Sequence, residues 1–379
     1  MNRRYSRPIT DYLYRKAAAN NIPIELTFEL TPVCNMNCKM CYVRKSKAEQ
    51  EAEGQLLNAD QWKSIAKEAA ELGTVYILLT GGEVFTRPDL PQILKDLNEL
   101  GMVVGINTNG TLINEETIKW LTDHRPNRVN ITVYGSSDET YSRLCRNPEG
   151  YTQMKHAVSL LKENDIEVRL KASITPYNVN DMKGIIDFAK SENLSLELTT
   201  YMFPPLRKDQ SHIGINEGRL DAVSAARNLH SSIVHQYGKE AAKNNYLNSL
   251  KSIEERKSPA VKQKTGDKMQ CQAGKISFWI TWKGDVLTCG MIPSKRNNLF
   301  EKPLSEAIES SRSEASEITL PIKCANCEIK EICKPCAAVV YTETGTYSDV
   351  PEYQCIYAHE KVKNMRSILN LEMEEKNEE

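Results

Sequence analysis

Three cysteines in "TPVCNMNCKMC", residues 31 to 41, fall at C-x3-C-x2-C and then stop. A tetrahedral zinc or a fully ligated iron-sulfur cube asks for four ligands, so Cys34, Cys38 and Cys41 leave one position open. Seven more cysteines follow far downstream as C271-x12-G284-x4-C289, C324-x2-C327-x5-C333-x2-C336 and, after eighteen residues, Cys355. Taken alone, the two C-x2-C pairs read as a zinc ribbon. The chain has eleven cysteines and no secretory signal, which points to metal or redox chemistry rather than disulfides. Cys145 is left over and reads as a small buried residue.

These groups need a frame. Six apolar or alternating runs recur from residue 24 to about 201: "IELTFEL", "VYILL", "MVVGIN", "RVNITV", "EVRLKASI" and "LSLELTTY". Between them lie helical patterns such as "NADQWKSIAKEAAELG", with Asn58 or Asp60 as the cap and Gly73 as the stop, and "RPDLPQILKDLNELG", ending at Gly101. Strict alternation of strand and helix predicts an α/β fold with a parallel sheet, here a partial (β/α)6 TIM-like barrel. The first cysteine triplet directly follows the first strand, and "TGGEVF", "NTNGT" and "YGSS" follow the next three. All four loops therefore meet at the C-terminal mouth, where barrel active sites gather.

The C-x3-C-x2-C triplet and "GGE" together resemble the radical S-adenosylmethionine (SAM) superfamily, over residues 24 to 201. The resemblance implies that Cys34, Cys38 and Cys41 hold a 4Fe-4S cluster by three irons, and that the fourth iron is chelated by the amino and carboxylate groups of SAM. Gly81 and Gly82 would let the backbone approach closely, and Glu83 would accept from the SAM ammonium. By the same resemblance Asn109, Thr132 and either Arg143 or Arg146 would contact the sugar or the methionine carboxylate. Met40 stands where the family usually places an aromatic residue against adenine; it can serve as a soft apolar surface, with Tyr42 beside it.

The later cysteines, with the glycine-bearing "CQAGKISFWITWKGDVLTCG" between residues 271 and 290, resemble the SPASM extension of radical SAM peptide-modifying enzymes (RiPP maturases). That resemblance implies a small α+β, cysteine-rich domain with two auxiliary 4Fe-4S clusters, making three clusters in all. Cys271, Cys289 and Cys336 would serve the first, and Cys324, Cys327, Cys333 and Cys355 the second. The last gap is x2 where the family usually has x3. The expected organisation is an N-terminal lead (1–23), the barrel (24–205), a charged helical bridge (206–270), the auxiliary domain (271–357), and a closing helix with the acidic tail "LEMEEKNEE" (358–379).

The implied reaction is reductive cleavage of SAM to a 5'-deoxyadenosyl radical, which takes hydrogen from a ribosomally made precursor peptide and leads to a thioether, carbon-carbon or related crosslink. A flavodoxin- or ferredoxin-type donor would supply the electron. The first cluster cysteine comes at residue 34, leaving no room for a leader-binding domain before it. A separate leader-binding protein, the bridge or the barrel would then recognise the leader. A formylglycine-forming sulfatase maturase is the runner-up, weakened because Gly290 stands where those enzymes carry an aspartate base. A non-catalytic electron carrier is the other alternative, against which the intact "GGE" argues. "TTYMFPPLR", residues 199 to 207, either lines the substrate channel, with Arg207 free for a peptide carboxylate, or only caps the barrel. His212, His230 and His235 lie in polar helical contexts and read as surface residues.

Composition narrows the field. With 40% hydrophobic and 26% charged residues over 379 positions, the chain has enough material for two domains and an ordinary soluble composition. A formal charge of -1 gives no basic footprint for nucleic acid. "MNRRYSRPITDYLY" has no apolar core behind its arginines, and no window approaches a membrane span, so the expected location is the cytoplasm.

Overall fold

The computed structural model describes residues 8–256, 262–295 and 297–375. The first seven residues, the start of "KSPAVKQKTGDK" and the end of the acidic tail lie outside the described residues. Each of the six expected runs forms a strand: β1 (Glu25–Thr31), β2 (Tyr76–Gly81), β3 (Val103–Thr108), β4 (Arg128–Thr132), β5 (Val168–Ser173) and β6 (Leu196–Thr199). They pair in parallel and in chain order. The helix Ala59–Glu71 starts at Asn58, whose side chain accepts from Gln61 N while Gln61 reaches back to the cap, a reciprocal pair of bonds. It ends before Gly73, whose φ of +90° favours glycine.

The two faces of the sheet differ. Leu26, Phe28 and Leu30 of β1 are fully buried against the outer helices, and Phe28 stacks on Trp62 with ring centroids 4.7 Å apart. On β5 the buried residues are Val168, Leu170 and Ala172, while Arg169, Lys171 and Ser173 stay half-buried on the other face. The concave face is accordingly polar: Asn130 Nδ2 donates to Asn107 Oδ1 at 2.8 Å, and Lys171 pairs with Glu197 at 3.4 Å. The main core thus lies between sheet and helices, where each buried Leu, Ile or Phe contributes about 1.5–3 kcal/mol. The concave side is left as a polar, accessible lumen.

The cysteine-rich segment is less separate than its composition implies. Its hairpin, β7 (Ser277–Ile280) and β8 (Val286–Leu287), extends the barrel sheet. β7 pairs in parallel with β1, from Glu25 opposite Ser277 to Phe28 opposite Ile280, so the edge that β1 would expose is covered. The expected helical bridge contains two helices, Ala222–Tyr237 and Lys239–Arg256, flanked by irregular segments. The closing helix runs from Glu352 to Glu375.

Candidate active site

The cysteine loop leaves the mouth end of β1 and is held by backbone from its neighbours. Gly82 N donates to Thr31 O at 2.6 Å and Glu83 N to Val33 O at 2.9 Å. A Cβ on Gly81 would lie 2.2 Å from Thr31 O, and one on Gly82 would lie 2.4 Å from Val33 O. Both glycines are therefore needed so that two loops can cross in contact, a closer approach than any side chain permits. Glu83 is 1% exposed. Its Oε1 accepts from Thr108 Oγ1 at 2.8 Å and Phe85 N at 3.1 Å, and its Oε2 accepts from Asn109 N at 2.7 Å. Burial pushes its carboxyl pKa up, against the pull of those donors. In this arrangement Glu83 ties the loop after β2 to the loop after β3.

Cys34, Cys38 and Cys41 lie together, each half-buried. Cys34 Sγ accepts from Met36 N at 3.4 Å and Asn109 Nδ2 at 3.8 Å, and Cys41 Sγ accepts from Arg44 N at 3.3 Å. Burial pushes the Cys34 thiol up to about 12 and raises Cys41 as well. Contact with the Cys145 thiol, then burial, raises Cys38. A cluster bound here would hold the three sulfurs as thiolates.

The expected SAM contacts are distributed unevenly. Asn109 is buried and braces the cysteine loop: Nδ2 donates to Asn35 Oδ1 at 2.9 Å, and Oδ1 accepts from Thr111 N at 2.9 Å and Thr111 Oγ1 at 2.7 Å. Thr132 ends β4 on the lumen side, beside Lys171. Arg143 is exposed and donates to Tyr177 O at 2.9 Å, while Lys39 of the cysteine loop lies 4.5 Å over the Tyr177 ring. Arg146 is exposed at the end of the same helix. Met40 packs against the backbone at Gly218, where a Cβ would come within 3.1 Å of its own.

Arg207 is not free for a substrate carboxylate. Its guanidinium donates from both terminal nitrogens to Glu29, at 2.7 and 2.8 Å, and Trp279 Nε1 donates to the same carboxylate at 2.7 Å. Glu29 is 1% exposed on the inward face of β1, so this trio bolts the segment after β6 and strand β7 to the first barrel strand. Sequence reasoning passed over Glu29; the signal was a carboxylate in the inward register of "IELTFEL". Tyr42 lies beside the trio, its hydroxyl pKa pushed up to about 12 by burial, with Arg207, Glu29, Cys41 and Cys289 all acting on it.

Downstream, the cysteines gather into two groups. Cys271, Cys289 and Cys336 act on one another, and burial lifts Cys289 to about 11. Cys324, Cys327, Cys333 and Cys355 line one cavity with Ile329 and Pro335, and burial lifts Cys324 to about 12. Gln354 Nε2 donates to Cys333 Sγ at 3.7 Å. Among the described residues no three His, Cys, Asp or Glu side chains converge closely enough to hold a single metal ion. A zinc ribbon needs four sulfurs at about 2.3 Å from one point, whereas a cube spreads its thiolates around a larger body. Four thiols around one cavity are a donor set of the kind that a cluster takes up.

Comparison with known proteins agrees with this frame. Residues 28–189 match the radical SAM superfamily, so this part of the chain carries a radical SAM domain. It is 26% identical over 357 residues to an AdoMet-dependent heme synthase of Methanosarcina barkeri, covering 90% of this chain and 98% of that one. It is 29% identical over 159 residues to the antilisterial bacteriocin subtilosin biosynthesis protein AlbA of Bacillus subtilis, covering 42% of this chain and 35% of that one. The fold matches Streptococcus suis SuiB bound to precursor peptide SuiA with a TM-score of 0.64 at 17% identity, over 94% of this chain and 82% of that one. A 4Fe-4S cluster and SAM are the cofactors that the superfamily implies. Among the described residues no helix is long and apolar enough to cross a membrane.

Proposed function

We propose that the protein is an oxidoreductase that modifies a ribosomally made precursor peptide, installing a thioether or carbon-carbon crosslink or a related oxidative change. The observation that carries this reading is the position of Tyr42, which is within electrostatic reach of both Cys41 and Cys289. The SAM-site loop and the first downstream trio would therefore lie close together around Tyr42. A substrate there would have a hydrogen-abstracting centre on one side and an electron acceptor on the other, the pairing that oxidative crosslinking needs.

In this reading Cys34, Cys38 and Cys41 hold the SAM-binding cluster. Gly81, Gly82, Glu83, Asn109, Thr132, Arg143, Met40 and Tyr42 form the SAM pocket and its supports. Cys271, Cys289 and Cys336 hold one auxiliary cluster, and Cys324, Cys327, Cys333 and Cys355 hold the other. A 4Fe-4S cluster held by Cys34, Cys38 and Cys41 would supply the one-electron chemistry that cleaves SAM. The chain itself holds the cysteines half-buried, fixes Glu83 with three donors, and keeps the loops in contact through the two glycines. The electron would come from a flavodoxin- or ferredoxin-type donor, and the leader would be recognised by a separate protein, the helical bridge or the barrel itself.

The likeness to AlbA in the barrel and to the SuiB fold supports a peptide. Formylglycine formation fits less well: the space beside Gly290 is taken by the Trp279 ring, 2.9 Å from where a Cβ would stand, so no aspartate base follows Cys289. A second reading, a part in heme synthesis, is favoured by the match to the M. barkeri protein over 98% of its length. Anaerobic incubation of reconstituted enzyme with SAM, dithionite and either a precursor peptide from the neighbouring genes or an iron porphyrin separates the two. Peptide-dependent 5'-deoxyadenosine with loss of hydrogen from the peptide supports the first reading. Turnover of the porphyrin alone overturns it.

A further inference from the structure

The C-terminal lobe holds an open cavity of about 540 Å3, none of whose lining residues belongs to the barrel site. Its walls are the chain after β8, the last turn of the helix Leu304–Glu317 with the two residues beyond it, and the loop at Tyr347. The volume falls within the range of about 300–1,000 Å3 usual for ligand sites. Ile292 and Ile318, both buried, give it an apolar floor to which Pro293 adds. Cys289, Cys336 and Tyr347 pack against the same apolar group, so the cavity adjoins the first downstream trio. The Tyr347 ring is itself seated against Tyr341, with centroids 5.0 Å apart.

The polar groups around this floor are unevenly satisfied. Glu314 Oε2 accepts from Lys295 N at 3.2 Å, which fixes the carboxylate. Its Oε1 is buried and has no hydrogen-bond partner among the described residues. A desolvated carboxylate oxygen without a donor is costly, so it calls for one from whatever fills the cavity. Glu317 lines the cavity three residues further on, a spacing at which two carboxylates on one helix are neighbours and repel. A cation answers both the unmet oxygen and the repulsion, whereas a neutral donor answers only the first. An alkyl stem suits the apolar floor, and an aromatic wall such as Tyr347 also favours a cation. Lysine and arginine side chains have this make-up, an apolar stem ending in a positive head.

We propose that this cavity binds a lysine or arginine side chain of the substrate peptide, with the stem over Ile292, Pro293 and Ile318 and the cation at Glu314 and Glu317. The cavity is larger than one such side chain, which leaves room for the peptide backbone that carries it. The proposal rests on the peptide reading of the function and adds a specificity to it: the precursor carries a basic residue that seats beside the first downstream trio.

The test is isothermal titration calorimetry of the reconstituted full-length protein with the N-acetyl, N-methylamide forms of arginine and lysine, set against those of norleucine, which keeps the stem, and glutamate. The basic probes should bind about fivefold tighter than norleucine or better, and Glu314→Gln should remove that advantage while norleucine binding stays. Glu317→Gln should weaken the basic probes by less, because Glu317 is exposed. If Glu314→Gln misfolds, the ranking of the probes on the parent protein and the Glu317→Gln result decide the matter. No saturable binding of either basic probe, equal binding of norleucine or glutamate, or a basic advantage that survives Glu314→Gln overturns the proposal. Agmatine binding more tightly than the capped arginine overturns the assignment to a peptide and points to a free amine. The probes bind without turnover, so peptide-dependent 5'-deoxyadenosine with no probe binding overturns this inference alone, whereas turnover of the porphyrin alone overturns the reading on which it rests.

Discussion

The barrel and the cysteine-rich lobe place thiols in opposite ways. In the barrel, a continuous core of strands and helices exists without any metal, and the three cysteines ride on a loop clamped by Gly82, Glu83, Asn109 and the end of the helix Asp138–Cys145. In the lobe the strands are short, β7 with four residues and β8 with two, and the apolar groups are split between small clusters against which Cys289, Cys336, Cys327 and Cys333 pack. The first region positions a reactive centre with a fold. In the proposed reading the second would use its centres as part of the fold, as small metal-stapled units do.

The sharpest way to break this contrast is Cys34→Ala. It should remove about four irons and bring 5'-deoxyadenosine formation below detection, while the barrel keeps its thermal transition. Loss of the downstream irons as well would mean that the two regions are not independent. Chelation of all iron comes next: hydrogen exchange across residues 271–355 should rise by orders of magnitude while β1 to β5 stay protected. Equal exposure of both regions would remove the distinction.

Gly82→Ala should act third, because a Cβ 2.4 Å from Val33 O forces the crossing loops apart. We expect a loss of about 2–3 kcal/mol in stability, within the usual range for a backbone clash, and at least tenfold weaker SAM binding by calorimetry. Glu29→Gln should have the smallest effect of the four. It leaves Arg207 half-paired and lowers stability by about 1–3 kcal/mol, below the value for a fully buried pair because the arginine side chain is 23% exposed. The shift should appear in Trp279 fluorescence as well as in Tm, since the same carboxylate holds the indole.

The six barrel strands were legible because each is a local run of apolar residues bounded by turn chemistry, and the helix caps at Asn58 and Gly73 are equally local. The cysteine grouping was expected from the resemblance to the SPASM extension, since spacing alone reads as a zinc ribbon. What escaped were contacts between residues far apart in the chain. Glu29 meets Arg207 and Trp279 across 178 and 250 positions, and no spacing rule links them. Arg207 consequently looked available when it is bound. β7 reads as a hairpin of its own domain, yet its partner is β1, because an uncovered parallel edge is satisfied by whichever strand reaches it. Cys145 is buried in the core, as expected of the cysteine left over, and its backbone carbonyl accepts from Asn37 N of the cysteine loop because one helix ends there. Met40 likewise finds its neighbour in Gly218 rather than in the motif around it.

The account turns on three separate cysteine groups each holding a cube, and iron and sulfide analysis with Mössbauer spectroscopy on anaerobically reconstituted protein tests it most directly. The prediction is about twelve irons per chain, falling to about eight on replacing Cys34, Cys38 and Cys41 together by alanine, with only 4Fe-4S spectra. Four irons accompanied by stoichiometric zinc would contradict it and return the downstream cysteines to a ribbon.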